Sequence, residues 1–373
     1  HPVGSPRLRE LACGSRRAVV VTCDKTRGVP SRVTIPLILD ELRDAGVTTT
    51  QVAVLVATGL HKDETMTDVK ERLGGELAGR LRVIIHDSDD RLQLRNLGLL
   101  SSGIPLDLNK AVTESDLVVV EGTVEPHFFA GFTGGSKVIL PGAAGTRTIL
   151  GNHRFQNIDD LRSRYGIVQN PVRADADESL RYLRKTFGLN LVLDRKKRIV
   201  HATSGDLIGS FEAAARAVDL HSRIRIKPRP DVVITTNGGY PLDRNVYQCV
   251  KGIAVPEQVV LPSSKIVMVS ECIDGVAHPQ LLGLLVSASP EVLYERMRKS
   301  QSTVLDQWQA QVLCRILRQN EVFFVTRPEL RPQVESMHMH YAPTVERALA
   351  SAGIEDGQRV LVAPEGPSTI LTP

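Results

Sequence analysis

The sequence predicts an α/β protein of two αβ domains, each with a mostly parallel sheet, and an active-site cleft between them. Three observations predict it. The chain has 373 residues, long for one core and comfortable for two, since domains usually run about 100–200 residues. Short β-branched apolar runs alternate with helical patterns over most of the length. A Pro-rich stretch, Ile226 to Pro230, interrupts that alternation and reads as a linker.

Taken in order, Ala18–Thr22 reads as a buried strand, followed by a helix around Ile35 to Ala45. Val52–Val56 is the next strand, then a polar helix near Thr65 to Leu73, with Leu81–Ile85 and Leu117–Val120 continuing the series. Near-continuous apolar strands separated by helices imply a parallel sheet covered on both faces, with ligands at the carboxyl ends of its strands. The second series has strands at Val232–Thr235, Lys265–Val269, Val322–Val325 and Arg359–Val362. The boundary is placed near residue 228: residues 1–227 form a cofactor-binding αβ domain and 228–373 a C-terminal αβ domain, its last residues free to return to the first.

Apolar residues make up 42% and charged residues 24%, with a net charge of +4, ordinary for a soluble globular protein. The only basic cluster is Arg195 to Arg198, so no nucleic-acid footprint is expected. No apolar run approaches the roughly 18 residues of a membrane span, and the first residues carry no charged region followed by an apolar stretch. Five cysteines without a C-x-x-C pair favour a reducing cytoplasm over a disulfide framework or structural zinc.

The chemistry concentrates after the Leu117–Val120 strand, in Pro126-His127-Phe128-Phe129-Ala130-Gly131-Phe132-Thr133-Gly134-Gly135-Ser136-Lys137. Six glycines fall between Gly122 and Gly145; glycines permit close backbone approach to a ligand, and free amides in such a loop can hold a phosphate or a flat ring. The pattern is neither G-x-G-x-x-G nor a Walker loop. His127, His153 in Asn152-His153, and His61 in Thr58-Gly59-Leu60-His61 sit in loops at strand ends. Imidazole there serves proton transfer or metal ligation, and spacing does not separate the two. Asp24 and Arg27 leave the first strand in a polar turn suited to a phosphate or carboxylate. Tyr247, Gln248 and Lys251 follow the Gly238-Gly239-Tyr240-Pro241-Leu242-Asp243 loop on neighbouring helix positions.

These motifs, in this order, resemble the lactate racemase family from about Ala18 to Val362. The family loop P-H-x-x-A-G-x-x-G-G-x-K-x-x-x-P-G is matched by Pro126 to Lys137 with Pro141-Gly142. D-x-T-R-x-x-P is matched by Asp24 to Pro30, T-G-x-H by Thr58 to His61, and N-H by Asn152-His153. G-G-Y-P-x-D and Y-Q-x-x-K are matched by Gly238 to Asp243 and Tyr247 to Lys251, and Trp308 matches a family tryptophan.

The resemblance implies a nickel-pincer nucleotide, a sulfur-bearing pyridinium mononucleotide with nickel in an S-C-S pincer, tethered to Lys137 through a thioamide. It makes His153 the protein ligand to nickel, in a roughly square-planar geometry, and His61 and His127 the acid–base pair. Arg27, Gln248 and Lys251 would bind substrate or the cofactor phosphate. Asp24, Thr58, Gly134, Gly135 and Trp308 complete the cofactor surroundings, with Trp308 in cleft closure. The implied reaction is inversion at C2 of a 2-hydroxy acid: hydride leaves to the pyridinium, a histidine takes the hydroxyl proton, and hydride returns to the opposite face of the 2-keto acid. Separate cofactor-maturation enzymes are the implied partners.

Lys62 stands where the family often has arginine, and Ser136 where it often has a larger residue; the N-terminus looks shorter than the family's, with an edge strand expected to be missing. Three other readings stand beside this one. A sugar-acid 2-epimerase would use the same cofactor and acid–base pair. A nicotinamide-dependent dehydrogenase is weakened by the missing G-x-G-x-x-G. A non-catalytic nickel or nucleotide binder would not need His61, His127, Lys137 and His153 together.

Overall fold

The chain forms two compact units in this computed structural model, which describes residues 1–373. The first unit comprises residues 1–125, 132–152 and 168–220; the second comprises 126–131, 153–167 and 221–373. Two stretches from within the expected 1–227 domain, Pro126–Gly131 and His153–Ile167, therefore cluster with the second unit, as do His221–Lys227. The last strand, Ile370–Thr372, pairs with Arg223–Arg225 in that same unit.

The sheet of the first unit contains β1 (Ala18–Cys23), β2 (Val52–Ala57), β3 (Arg82–Ile85), β4 (Leu117–Thr123), β5 (Thr186–Leu193) and β6 (Ile199–Gly205), in the order β6-β5-β4-β1-β2-β3. All neighbours are parallel except the β5–β6 hairpin. Alternation of side chains explains why residues 18–21 of β1 and 117–120 of β4 are apolar throughout. Val19, Val21, Val118 and Val120 enter one core, while Ala18, Val20, Leu117 and Val119 enter the core on the other face. At about 25 cal/mol per Å² of apolar surface removed from water, two-sided burial is the main source of stability for such strands.

Expected and observed strands agree to within a few residues. The helix placed near Thr65 runs Met66–Leu73, with Thr65 and Asp68 in a reciprocal capping box worth about 1 kcal/mol. The helix placed at Ile35 begins earlier, at Ser31. The β5–β6 hairpin was not expected. Its turn is the basic cluster, where the Asp194 carboxylate accepts from the Lys196 and Arg198 amides at 2.8 and 2.9 Å.

The second unit contains β7 (Val232–Thr236), β8 (Lys265–Val269), β9 (Glu321–Val325), β10 (His340–Ala342) and β11 (Val360–Ala363), all parallel, in the order β10-β9-β8-β7-β11. Val232, Val267, Phe323 and Val325 pack one of its faces with Ala342, Ala348 and Ala352. No helix is long and apolar enough to cross a membrane.

Candidate active site

In the first unit, chain direction across the sheet reverses between β1 and β4. Loops leaving adjacent strands in opposite directions open a crevice at their carboxyl ends, the usual ligand position in such sheets. The β1 loop carries Asp24 and Arg27, β2 ends at Thr58 to His61, and the chain after β4 leads to Lys137.

Asp24 is buried, and its Oδ2 lies 2.5 Å from Nδ1 of His61, whose side chain is 44% exposed. Thr26 donates to the other carboxylate oxygen through its amide at 3.1 Å and its hydroxyl at 2.6 Å. Burial alone would raise the Asp24 carboxyl. Its hydrogen bond and charge interaction with His61, with help from Thr26 and Arg27, more than offset this and hold it below the usual range. A carboxylate on Nδ1 fixes the ring plane and leaves Nε2 for proton exchange. The Thr58 hydroxyl instead donates 2.7 Å to the His86 carbonyl, tying the end of β2 to the end of β3. Lys62 pairs with Asp87 and Asp89 on the β3 loop.

The glycine loop is packed into the protein. The Gly135 amide donates to Asn190 Oδ1 at 3.1 Å, and a Cβ at Gly135 would stand 2.6 Å from the Phe211 ring. A Cβ at Gly134 would meet the Thr123 carbonyl at 2.9 Å, and one at Gly142 the Val138 carbonyl at 2.3 Å. Close internal approach accounts for these glycines, and the Gly135 amide is engaged by protein. Lys137 sits, half-buried, on the 3₁₀ turn Gly135–Val138.

Arg173, on the helix Pro171–Ser179, clamps this loop. It donates to the Phe132 carbonyl at 2.7 Å and more distantly to the Gly134 carbonyl and Ser136 Oγ, with its guanidinium 3.8 Å from the Phe211 ring centroid. Ser136 in turn donates 2.5 Å to Asp177. Burial brings Arg173 down to about 10 and raises Asp177. The small residue at position 136 is thus a buried polar link. Past Lys137, the loop is pinned again by His86, whose Nε2 is 2.9 Å from the Ala144 carbonyl while Nδ1 accepts from Asn109 at 3.0 Å.

In the second unit, His127 is buried and its Nδ1 accepts from the Phe129 and Ala130 amides at 3.4 and 3.2 Å. In the neutral ring, Nε2 then carries the proton. His153 is buried between two aromatic edges, Phe129 at 5.1 Å and Trp308 at 5.0 Å between centroids, each at 78°. Phe129 also meets His127 at 4.5 Å. Tyr247, Gln248 and Lys251 lie on the helix Val246–Ala254, capped by Asn245, with Lys251 Nζ 2.5 Å from Gln248 Oε1. This helix follows β7, beside the reversal between β7 and β11. Here the glycines behave differently: a Cβ at Gly239 would meet nothing within 4 Å, and the loop lines a cavity of about 540 Å³ with Thr236, Asp243, Ser270 and Thr326.

Within each unit the expected residues gather, Asp24, Arg27, Thr58 and His61 in the first, His127, His153 and Trp308 in the second. Sequence reasoning missed Arg173, Glu121, His278 and Asp306. Glu121 lies in the middle of β4 and takes hydrogen bonds from Ser31 and Thr34. Arg173 and Asp306 stand in no glycine-bearing or strand-end motif; the available signals were an acidic residue following the apolar run of β4 and a histidine in the Gly275 loop after β8.

The fold and these strand-end histidines define a two-unit α/β enzyme. Residues 1–166 match the lactate racemase N-terminal domain and residues 226–371 the lactate racemase C-terminal domain. The chain is 37% identical over 377 positions to lactate racemase of Thermoanaerobacterium thermosaccharolyticum and 34% identical to that of Lactiplantibacillus plantarum, covering all of this chain and 88% of each relative. The structure of the lactate racemase apoprotein from the former organism superposes with a TM-score of 0.96 at 36% identity, over 100% of this chain and 90% of that one. A crystal structure of a Thermotoga maritima protein shares the fold at 16% identity and a TM-score of 0.68, over 100% of this chain and 99% of that one. The chain belongs to the lactate racemase family and is an isomerase, which sets aside the dehydrogenase and non-catalytic readings.

Proposed function

We propose that this isomerase inverts the C2 carbinol centre of a 2-hydroxy acid, using a nickel-pincer nucleotide tethered to Lys137. The observation that carries the reading is the His61–Asp24 pair: an imidazole oriented by a buried carboxylate at the carboxyl end of a parallel strand, beside Arg27. Such a pair is what removal of a hydroxyl proton requires.

The residues fit the cofactor. Lys137 offers an amine on a turn whose neighbours are held by Arg173, Asp177 and Asn190. His153 offers one imidazole whose plane is set by Phe129 and Trp308, and imidazole is a competent nickel ligand. When bound, the cofactor supplies a hydride acceptor, which no protein side chain provides. The protein's own steps are proton transfer and binding. His61 takes or returns the hydroxyl proton at Nε2 while Nδ1–H stays on Asp24. His127 serves the other enantiomer. Arg27, Gln248 and Lys251 take the carboxylate of the substrate or the phosphate of the cofactor. All five cysteines are free thiols, which supports assignment to the cytoplasm, where the maturation enzymes would load the protein. A sugar acid would use the same acid–base pair, so substrate choice is decided by assay.

The test is intact mass and nickel content of protein co-produced with cofactor-maturation enzymes, with the Lactiplantibacillus plantarum enzyme loaded in parallel. A mass increment lost in Lys137→Ala, near one nickel per chain, and interconversion of D- and L-2-hydroxy acids are expected. Unmodified, nickel-free protein from cells that load the control overturns the reading.

A further inference from the structure

His278 stacks flat on Tyr247, with ring centroids 3.7 Å apart and planes 11° from parallel, and its Nδ1 lies 3.0 Å from Asp306 Oδ2. The Asp306 side chain is only 2% exposed, whereas that of His278 is 37% exposed. Asp306 occupies the position before the helix Gln307–Leu317 in a left-handed conformation, φ +63°, and makes no capping bond to that helix. Aspartate at such a position ordinarily accepts from the first-turn amides. This one is turned toward His278 instead, in a backbone region that side-chain-bearing residues rarely adopt.

Two residues further on, Trp308 presents its ring to His153. The Tyr247 hydroxyl lies among the side chains of Asp306, Trp308 and Gln309, and Gln309 donates to the Tyr247 carbonyl at 3.0 Å. One buried carboxylate thus meets the ring that stacks on Tyr247 and the segment that places Trp308. An imidazole held by edge contacts rotates if one edge withdraws, and ligand orientation at a metal site is set by such surroundings.

We propose that His278 and Asp306 are positioning residues for His153: Asp306, held by His278, fixes Tyr247 and Trp308, and Trp308 fixes the plane of the His153 imidazole. The inference rests on the reading of His153 as the nickel ligand. It assigns a role to a partly exposed histidine in the loop between β8 and the helix Pro279–Val286. Its effect is on turnover, because a misplaced ligand disturbs the reacting geometry while Arg27, Gln248 and Lys251 still hold the substrate.

Trp308 is the sole tryptophan, so intrinsic fluorescence reports this contact directly, in unloaded as well as loaded protein. The variants are His278→Gln, at a site exposed enough to tolerate it, and Asp306→Asn. Tyr294→Phe, which removes a hydrogen bond to Asp159 in the same unit, is the control for general loosening. Expected are a changed Trp308 emission in unloaded His278→Gln and Asp306→Asn, and in the loaded forms a kcat lowered roughly ten- to hundredfold with KM within about twofold. The control changes neither. Unchanged emission in folded His278→Gln overturns the proposal, and so does changed emission with full kcat, which leaves only packing. Should Asp306→Asn fail to fold, His278→Gln decides alone. Failure of the nickel reading would appear separately, as wild-type protein without nickel or racemisation while the emission results stand.

Discussion

His61 Nδ1 lies 2.5 Å from Asp24 Oδ2, and this contact joins the loops leaving two adjacent parallel strands, β1 and β2. The two residues are 37 positions apart in sequence, yet the register that pairs Cys23 with Ala57 brings their loops side by side. The carboxylate fixes the tautomer and the orientation of the ring. Asp24→Asn keeps the shape, loses the charge and admits the wrong tautomer. Racemisation by the loaded enzyme is expected to fall by about 10²–10³ in kcat, within the range for a general base, with KM little changed. Full activity in Asp24→Asn would show that His61 needs no orienting partner.

The same carboxyl governs acid stability. Its folded value lies below the usual one, so its contribution is complete above the unfolded value of about 3.9 and is lost as pH falls through the depressed folded value. Asp24→Asn should therefore show a shallower loss of stability on the acid side. Urea midpoints measured between pH 5 and pH 3 check this; parallel curves for the two proteins would refute it.

Glu121 has the opposite sign. Burial raises it, and the hydrogen bonds from Ser31 and Thr34 and the charge of Arg72 only partly counter that. Stability from such a group is complete below the unfolded value of about 4.3 and declines as pH climbs through the raised folded value. Glu121→Gln, neutral at all pH, should gain on the wild type as pH rises from 4 to 8. Glu121→Leu would take from Ser31 and Thr34 their bonds to the carboxylate, leaving them the Thr22 hydroxyl and the Pro30 carbonyl, at a cost of about 1 kcal/mol. Urea midpoints across that range decide, and an identical pH dependence in Glu121→Gln would overturn the assignment.

Arg173 carries a prediction about loading as well as stability. Its fork holds the Phe132 carbonyl and reaches toward Gly134, both within five residues of Lys137. Arg173→Lys retains the charge but has a single ammonium in place of a planar fork. A loss of about 1–3 kcal/mol of stability is expected from imperfectly paired buried carbonyls, together with a smaller fraction of chains carrying the mass increment at Lys137. Thermal unfolding and intact mass measure the two. Unchanged loading in a destabilised Arg173→Lys would confine this residue to the fold.

Much of the fold was legible because β1, β4 and β8 are buried on both faces, and two-sided burial writes a continuous apolar run that sequence reading detects. β6 escaped because it is largely exposed and carries polar residues; an edge strand in a hairpin has no such signature. β5 is an interior strand whose apolar residues are interrupted by Gly188 and Asn190. Site residues were legible where chemistry and chain position coincide, as with His61 and His127 in loops at strand ends. Asp24 was expected at a phosphate or carboxylate, whereas its partner is His61; that pairing depends on strand register, which no local motif encodes. Arg173 lies in an unremarkable helix, and only the packed structure shows its guanidinium among loop carbonyls. The glycines carry a constraint that the sequence did not show. Gly134 and Gly135 read as a cradle for a ligand, yet their missing side chains make room for Thr123 and Phe211.

That last contrast yields a test. Gly135 has φ +61°, where a Cβ costs about 1–2 kcal/mol, and its Cβ would overlap the Phe211 ring at 2.6 Å. Gly135→Ala therefore suffers twice, from backbone strain and from overpacking worth about 1–3 kcal/mol. Shortening Phe211 to Ala removes the ring carbons at 2.6 and 2.9 Å, leaves its own Cβ at 2.8 Å, and so relieves part of the overlap while the strain stays. In a double-mutant cycle, Gly135→Ala should be strongly destabilising in the wild-type background and less so beside Phe211→Ala, so the two changes couple favourably. If instead the glycine served a bound nucleotide, the unloaded protein would tolerate Gly135→Ala and only loading would suffer. Chemical denaturation of the four unloaded proteins separates these outcomes: additive effects would remove Phe211 as the reason for this glycine, and a coupled pair would establish that the loop before Lys137 is shaped by the protein's own packing.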